Sequence, residues 1–513
     1  MLSLLATLHL SAKPNILFML TDDMDVVLGA MTPMKKLRAE IVEKGASVYV
    51  RKLSPPALKD SHLFTSSLTY SFSGTWFSNA FVHTPICCPS RSSFLSGMYL
   101  HNGGARENDV GHNCVGQEWV DNNERTTFGP RLQAAGYATH YAGKYLNQYA
   151  NPLSPGLVGN CTKDDKKQCM KSPSLPCNCA RIPPGWSSWH ALVGNSQYYN
   201  YSIIQGVTNP ASTPTKMGAG KWVSHGDTYQ TDYFPDVVAN ATLAFIHEMG
   251  APEHKETPIF VVNAWPTPHG PHTPAPQFAG RYVDKIHAPR TPSYNASDEA
   301  MATKSWIVKH QSALTPNVAK GIDFDYAQRW ESLLSVDDHI AQFIEALKAT
   351  GRYEATYVIF TSDHGFQLGQ HRLPGDKRHE FENDLRIPFV VMGPRIGVNK
   401  TIVYPVLNID VAPTIVEIAT GVIPEDMDGD SFLRLFAAQE SDDEGKRVLS
   451  FSFSFVLPFC FPRTHAHVLR ERRERERERE DPIFHTERIL LPSFLPHPHR
   501  SGCNVAKCVG DRV

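Results

Sequence analysis

Residues 87–97 read Cys-Cys-Pro-Ser-Arg-Ser-Ser-Phe-Leu-Ser-Gly, which places a thiol and a guanidinium four positions apart beside several hydroxyls. A cysteine next to a Pro-Ser turn is ordinarily a buried apolar filler, so its chemistry has to be argued from partners elsewhere in the chain. Asp22 and Asp23 follow the apolar run Asn15-Ile-Leu-Phe-Met-Leu20, and Asp363 and His364 follow Tyr357-Val-Ile-Phe-Thr361. Taken singly, each acidic pair reads as a helix cap or a loop. Two carboxylate clusters at one sheet edge, however, repel each other unless a cation sits between them. Oxygen-rich ligation of that kind suits a hard ion such as calcium or magnesium. Arg91 lies within the string, and Lys144, Lys377 and His269, the last in a proline-rich loop, are further charged or titratable residues whose roles their spacing alone does not assign. His272 lies close to His269, and His371 and His379 flank Lys377, so each of these is an alternative to its neighbour.

The elements that must carry these residues follow from periodicity. The unbroken apolar run over 15–20 predicts a central parallel strand, and Ala138–Ala142, Ile259–Asn263 and Tyr357–Thr361 predict further strands. Pro33–Gly45, Pro235–Met249 and Tyr326–Thr350 predict helices, the last closed by Gly351. Strands alternating with helices imply an α/β fold with a large, mostly parallel central sheet covered on both faces. Sites in such sheets gather beyond the carboxyl ends of the strands, where both acidic pairs fall.

The string at 87–97 has the form C-x-P-S-R-x-x-x-L-[ST]-G and resembles the signature of the type I sulfatases. Gly136-Tyr-Ala-Thr-His-Tyr-Ala-Gly-Lys144 is similar to the second sulfatase signature, and Pro268-His269-Gly-Pro271 to the family's active-site histidine loop. Thr361-Ser-Asp-His-Gly365, followed by Lys377 before Phe381-Glu-Asn-Asp384, resembles its second metal motif. The likeness runs from Lys13 to about Phe436, and Gly143-Lys-Tyr-Leu-Asn147 points to the glucosamine-6-sulfatase and extracellular heparan endosulfatase branch. It implies an alkaline-phosphatase-like sulfatase fold. It also implies that Cys87 is oxidised to formylglycine by a formylglycine-generating enzyme. Asp22, Asp23, Asp363 and His364 would then hold calcium together with position 87. Arg91 and Lys144 would hold the aldehyde hydrate, and His269 and Lys377 would face the sulfate ester. His364 stands where many members carry Asn. Leu146 stands where simple arylsulfatases carry a histidine, which leaves the base for the final step unassigned.

The implied reaction is hydrolysis of a sulfuric ester on a sulfated sugar or aryl substrate. A sulfate monoester is anionic, so cations must meet it and stabilise charge in transit. A hydroxyl of the aldehyde hydrate attacks sulfur, and His269 or Lys377 protonates the departing alcohol. The second hydroxyl then lets the sulfated hydrate collapse to aldehyde and release sulfate. A phosphonate monoester or phosphodiester hydrolase using the same group is the alternative reaction class. An inactive homologue that binds sulfated glycans is the alternative without catalysis.

Composition narrows the setting. The chain has 513 residues, is 41% hydrophobic and carries a net charge of -2, which gives no field for nucleic acid. No stretch reaches the roughly 20 apolar residues of a membrane span. Residues 1–12 form an apolar N-terminus that reads as a clipped signal peptide. Sequons occur at Asn160, Asn200, Asn240, Asn295 and Asn399, and Cys161, Cys169, Cys177 and Cys179 cluster as one or two disulfides or a zinc site. These signals point to the secretory pathway, with an extracellular, cell-wall or lysosome-like destination. The main domain is expected over 13–436. An irregular insertion at 48–75 interrupts a strand that should run from Gly45-Ala46-Ser47 into Phe77–Phe81. Residues 437–513 include Arg470-Glu-Arg-Arg-Glu-Arg and read as a disordered low-complexity tail, since alternation at period two gives a helix no apolar face. The small closing subdomain usual in the family is expected to be missing or scrambled.

Overall fold

The computed structural model describes residues 13–42, 75–150, 181–207, 218–394, 396–397 and 400–436. The expectations for 1–12, 48–74, the cysteine cluster at 161–179 and the tail at 437–513 lie outside those residues. The main sheet has ten strands: β1 (Asn15–Thr21), β2 (Thr75–Phe77), β3 (Ala138–Gly143), β4 (Ser188–Leu192), β5 (Ser202–Val207), β6 (Lys221–Ser224), β7 (Ile259–Ala264), β8 (Thr356–Ser362), β9 (Phe389–Met392) and β10 (Lys400–Ile402). Their order is β10-β2-β9-β8-β1-β7-β3-β4-β5-β6. The central run β8-β1-β7-β3-β4 is parallel, and antiparallel pairs flank it at β9 and β5.

β1 is buried at every position because both faces of the sheet are covered. Its alternation sends Ile16, Phe18 and Leu20 into one core and Leu17 and Met19 into the other. The first core lies under helices α1 (Cys87–Ser96), α2 (Phe128–Ala134) and α5 (Val411–Thr420). The second lies under α3 (Phe234–Glu248) and α4 (Pro316–Ala349).

Three expectations change. The predicted helix over 33–45 is an α-turn at Lys35–Leu37 that widens into a π-helix over Arg38–Val42. Its start is set by the Asp337 carboxylate, which accepts the Lys36 and Leu37 amides at 2.8 and 2.7 Å. The helix expected from Tyr326 begins ten residues earlier, where Thr315 caps it and Pro316 fills the first turn. Phe77–Phe81 is not one strand. Ser78 and Asn79 turn the chain by donating to the Ile402 and Val403 carbonyls. Ala80–Phe81 then pairs with Val406–Leu407 outside the main sheet.

Candidate active site

β8, β1, β7 and β3 lie side by side and parallel, and each runs out onto a predicted site segment. Asp22 and Asp23 follow β1, Asp363 and His364 follow β8, the His269 loop follows β7, and Lys144 follows β3. Gly143 ends β3 with φ +118, and a Cβ there would lie 1.8 Å from the Ala264 carbonyl oxygen. Only glycine permits that approach, which lets Lys144 N donate to Ala264 O at 2.8 Å and sets the lysine over the strand ends.

Helix α1 explains the string at 87–97 residue by residue. Cys87 is its first residue, at the end where unpaired amides favour negative charge. Cys88 N donates to Asn108 Oδ1 at 2.8 Å, and Pro89 sits in the first turn, where no amide is needed. Ser90 Oγ donates to the Asp363 carbonyl at 2.5 Å, tying the helix to the loop after β8. Arg91 Nε donates to Asp363 Oδ2 at 2.9 Å and Arg91 Nη1 to the Lys144 carbonyl at 2.7 Å. Leu95 enters the core, and Gly97 closes the helix at φ 69. A Cβ on Gly97 would lie 2.8 Å from Met427 Sδ.

The side chains converge. Asp22, Asp23, Cys87 and His364 each present one potential ligand atom, all within 4.8 Å of one another and all buried. Asp363 borders this group, with Oδ1 3.6 Å from His364 Nε2 and accepting the Asp23 amide at 3.0 Å. Lys144 Nζ lies 2.7 Å from Asp22 Oδ2, and Lys377 Nζ lies 2.8 Å from Asp23 Oδ1. His364 Nε2 is 3.4 Å from Cys87 Sγ while Nδ1 is 3.0 Å from the Gly365 carbonyl. That second contact suits a metal-binding imidazole, whose other nitrogen donates to a carbonyl. His269 Nε2 lies 3.9 Å from Asp23 Oδ2, and at 18% side-chain exposure His269 is the most open of these groups.

Charge within the cluster is balanced by close partners. Burial alone would raise the Cys87 thiol pKa, but Lys144, Lys377 and His364 hold it well below the usual thiol range. Burial likewise opposes ionisation of Asp22, and Lys144, His269 and Arg91 outweigh it. Burial and the neighbouring Asp22 charge push Asp363 up to about 7. Burial disfavours charge on His269, yet Asp23 and Asp22 raise it to about 9. Asp22 Oδ1 is sealed from solvent and accepts no hydrogen bond. That oxygen has only the Arg91 Nη2 charge at 3.6 Å. A buried carboxylate oxygen without a hydrogen bond beside a second carboxylate fits a cation, so the residues present suit the divalent ion that the sequence pattern implies.

The alternatives separate cleanly. His272 turns away, with Nδ1 2.6 Å from the Pro268 carbonyl and its ring against Phe366. His371 stacks on Phe381 at 4.0 Å and His379 lies 6.0 Å from the same ring, so Lys377 is the member of its loop that reaches the site. Leu146 is buried in the core. Among the sequons, Asn200 and Asn240 are exposed, whereas Asn295 spends its amide on Leu314. Asn160 and Asn399 fall outside the described residues, and no described helix is long and apolar enough to cross a membrane.

Sequence reasoning missed several contributors. Ser196 Oγ donates to Asp22 Oδ2 at 2.5 Å, and Tyr198 Oη donates to the His269 carbonyl at 3.0 Å. Cys88 forms a disulfide with Cys114, leaving Cys87 as the free cysteine among the described residues. The pair of adjacent cysteines at 87 and 88 is the mark in the sequence of two separate roles, one of them the disulfide.

A family model described as Sulfatase matches residues 51–422. N-acetylglucosamine-6-sulfatase of Capra hircus is 35% identical over 426 residues, 82% of this chain and 63% of that protein. An extracellular sulfatase homologue of Drosophila melanogaster is 32% identical over 427 residues, 83% of this chain and 32% of that protein. The chain therefore spans under two thirds of the length of these relatives. A structure solved with its substrate D-glucosamine-2-N,6-O-disulfate superposes with TM-score 0.52 at 20% identity, covering 83% of this chain and 80% of that one. The phosphonate monoester hydrolase of Agrobacterium radiobacter gives TM-score 0.54 at 14% identity, covering 83% and 77%. Both likenesses bear on the fold alone.

Proposed function

Since this chain belongs to the sulfatase family, we propose that it hydrolyses a sulfate monoester on a sugar of the N-acetylglucosamine 6-sulfate class. The observation that carries the hydrolysis is the placement of Cys87 at a helix N-terminus among Asp22, Asp23 and His364, with Lys144 and Lys377 on the two carboxylates. The sugar class rests on the 35% identity to the N-acetylglucosamine-6-sulfatase of Capra hircus. Position 87 as formylglycine supplies a geminal diol oxygen as nucleophile, and calcium supplies a Lewis acid for the sulfate oxygens. With sulfur at position 87 the donor set leans towards softer metals. With oxygen there, two or three carboxylates and one imidazole suit the harder ion.

This chain's own residues do the rest. Asp22, Asp23, Asp363 and His364 hold the ion. Lys144 and Lys377 lower the proton affinity of the group at 87 and neutralise the carboxylates, so an anionic ester is not repelled. Arg91, buried behind them, fixes Asp363 and the Lys144 backbone. His269 carries the proton for the leaving alkoxide at Nε2, because it is more open than Lys377, which is 6% exposed and held on Asp23. The Cys88–Cys114 disulfide and the exposed Asn200 and Asn240 support a secretory route. The formylglycine-generating enzyme is the partner this route requires.

Two measurements on the full-length purified protein test the proposal. Mass spectrometry of the peptide bearing position 87 is expected to find an aldehyde. Calcium-dependent turnover of N-acetylglucosamine 6-sulfate is expected to exceed that of an aryl phosphonate monoester and to vanish in Cys87→Ala. An unmodified thiol with no sulfate release sinks the catalytic reading, and preferential phosphonate turnover replaces it with the other hydrolase class.

A further inference from the structure

Arg329, on α4, is fully buried yet lies outside the cluster of groups that would meet substrate. Its guanidinium touches every loop that builds the site's ion-binding side. Nη2 donates to the Asp23 carbonyl at 2.6 Å, and Nη1 lies 3.5 Å from the Pro268 carbonyl in the His269 loop. The guanidinium carbon sits 4.4 Å from the centre of the Phe366 ring, two residues after His364. Its charge is met by Asp25 Oδ1 at 3.2 Å, and Asp25 Oδ2 in turn accepts the Leu28 amide at 2.8 Å.

Asp23 needs such a fixture. It has φ 66, a left-handed conformation that costs a non-glycine residue about 1 kcal/mol or more and persists only when its surroundings hold it. The surroundings hold it at both backbone groups, its amide on Asp363 Oδ1 and its carbonyl on Arg329. That double anchor aims the Asp23 carboxylate at His364 and Lys377 rather than at solvent.

We propose that Arg329 is the positioning residue of this site, setting the Asp23 backbone and locking the loops after β1, β7 and β8 to one another without contacting the reacting groups. The planar fork does this, because one guanidinium can serve two carbonyls, a carboxylate and an aromatic face at once. An ammonium reaches only part of that set. The proposal rests on the functional reading above only where calcium and turnover are used as readouts.

The test compares Arg329→Met and Arg329→Lys with Glu331→Gln in the full chain. Glu331 is an equally buried residue two positions along α4 that accepts the Gly280, Tyr282 and Val283 amides away from the site. Hydrogen exchange is read first, since it needs neither metal nor activity. Arg329→Met is expected to unprotect residues 22–28, 266–272 and 364–368 together, Arg329→Lys to do so less, and Glu331→Gln to unprotect only 279–284. Calcium affinity by calorimetry is expected to fall about 10- to 100-fold in Arg329→Met, the range for groups that orient metal ligands, with kcat falling more than KM rises. Glu331→Gln should leave both within twofold. If both Arg329 variants lose protection evenly across the sheet, or keep it in all three loops, the positioning role is wrong. If the three loops open but wild type neither binds calcium nor releases sulfate, the functional reading fails and the positioning role stands.

Discussion

On the face of the sheet covered by α1, α2 and α5, one contiguous segment delivers a nucleophile position, a guanidinium and a hydroxyl to the strand ends through its own side chains. On the opposite face α4 delivers nothing to the reacting groups. Instead Asp323, Arg329, Glu331 and Asp337 reach out along its length to backbone groups of Ala288, Asp23, Tyr282 and Leu37. One face supplies chemistry, and the other anchors backbone along its length, through Arg329 at the loops on which that chemistry stands. A local string therefore identifies the first face, while the second is built from contacts far apart in sequence.

The sharpest way to break this comparison is to remove the buried charge from the first face. Arg91→Met leaves Asp363 and Asp22 buried without their guanidinium. Breaking a buried ion pair by removing one partner costs about 3–5 kcal/mol. Urea unfolding of the calcium-free protein is expected to show a loss of that size, with saturating calcium recovering part of it by replacing the missing charge. Arg329→Met should differ, because Asp25 rather than a site carboxylate loses its partner, so an ion bound at the site does not replace the missing charge. Identical calcium responses of the two variants would erase the distinction between the faces.

The disulfide sharpens the comparison at a smaller scale. Cys88 and Cys114 close a loop spanning a sequence separation of 26, on the α1 side only. Chain-entropy reasoning puts its contribution at about 3.5 kcal/mol. The double variant Cys88→Ser, Cys114→Ser should lose about that much in urea unfolding. Its faster hydrogen exchange should be confined to α1 and residues 100–118, leaving α3 and α4 protected. Equal opening of both faces would mean that the two cores unfold as one unit before either is locally released.

What could be read beforehand follows the same division. Asp22, Asp23, Asp363 and His364 were legible because they follow the strand ends that the apolar runs of β1 and β8 announce. Cys87, Arg91 and Lys144 were picked out instead by the resemblance of 87–97 and 136–144 to the family's signatures, with no helix start at 87 foreseen. The mostly parallel sheet was legible from the apolar runs of β1, β3, β7 and β8. β4, β5 and β6 were not, since Ser-Trp-His-Ala-Leu in β4, buried at the end of the parallel run, and Lys-Trp-Val-Ser in β6, an exposed antiparallel edge, mix polar and apolar residues and break the apolar run. Arg329, Ser196 and Tyr198 were illegible because their partners include backbone carbonyls or a distant carboxylate, which leave no mark at their own position. The turn at Ser78–Asn79 was missed because its anchors, Ile402 and Val403, lie more than three hundred residues away.

The smallest effect concerns a histidine that belongs to the supporting side. His272 is buried, with its ring against Phe366 and Nδ1 on the Pro268 carbonyl. Burial and the Arg329 charge lower its pKa to about 4, against an ordinary value of 6.5. A base whose folded pKa is depressed takes up its proton first in the unfolded chain, so stability falls as pH drops below 6.5 and stops falling near 4. Over pH 6.5 to 4.5 this amounts to roughly 2 kcal/mol. His272→Gln keeps a donor for the carbonyl and cannot titrate, so its urea stability should decline less than that of wild type over this interval by that amount. Matching slopes would place the proton elsewhere, and the acid sensitivity would then belong to the carboxylate cluster rather than to the loop that Arg329 holds.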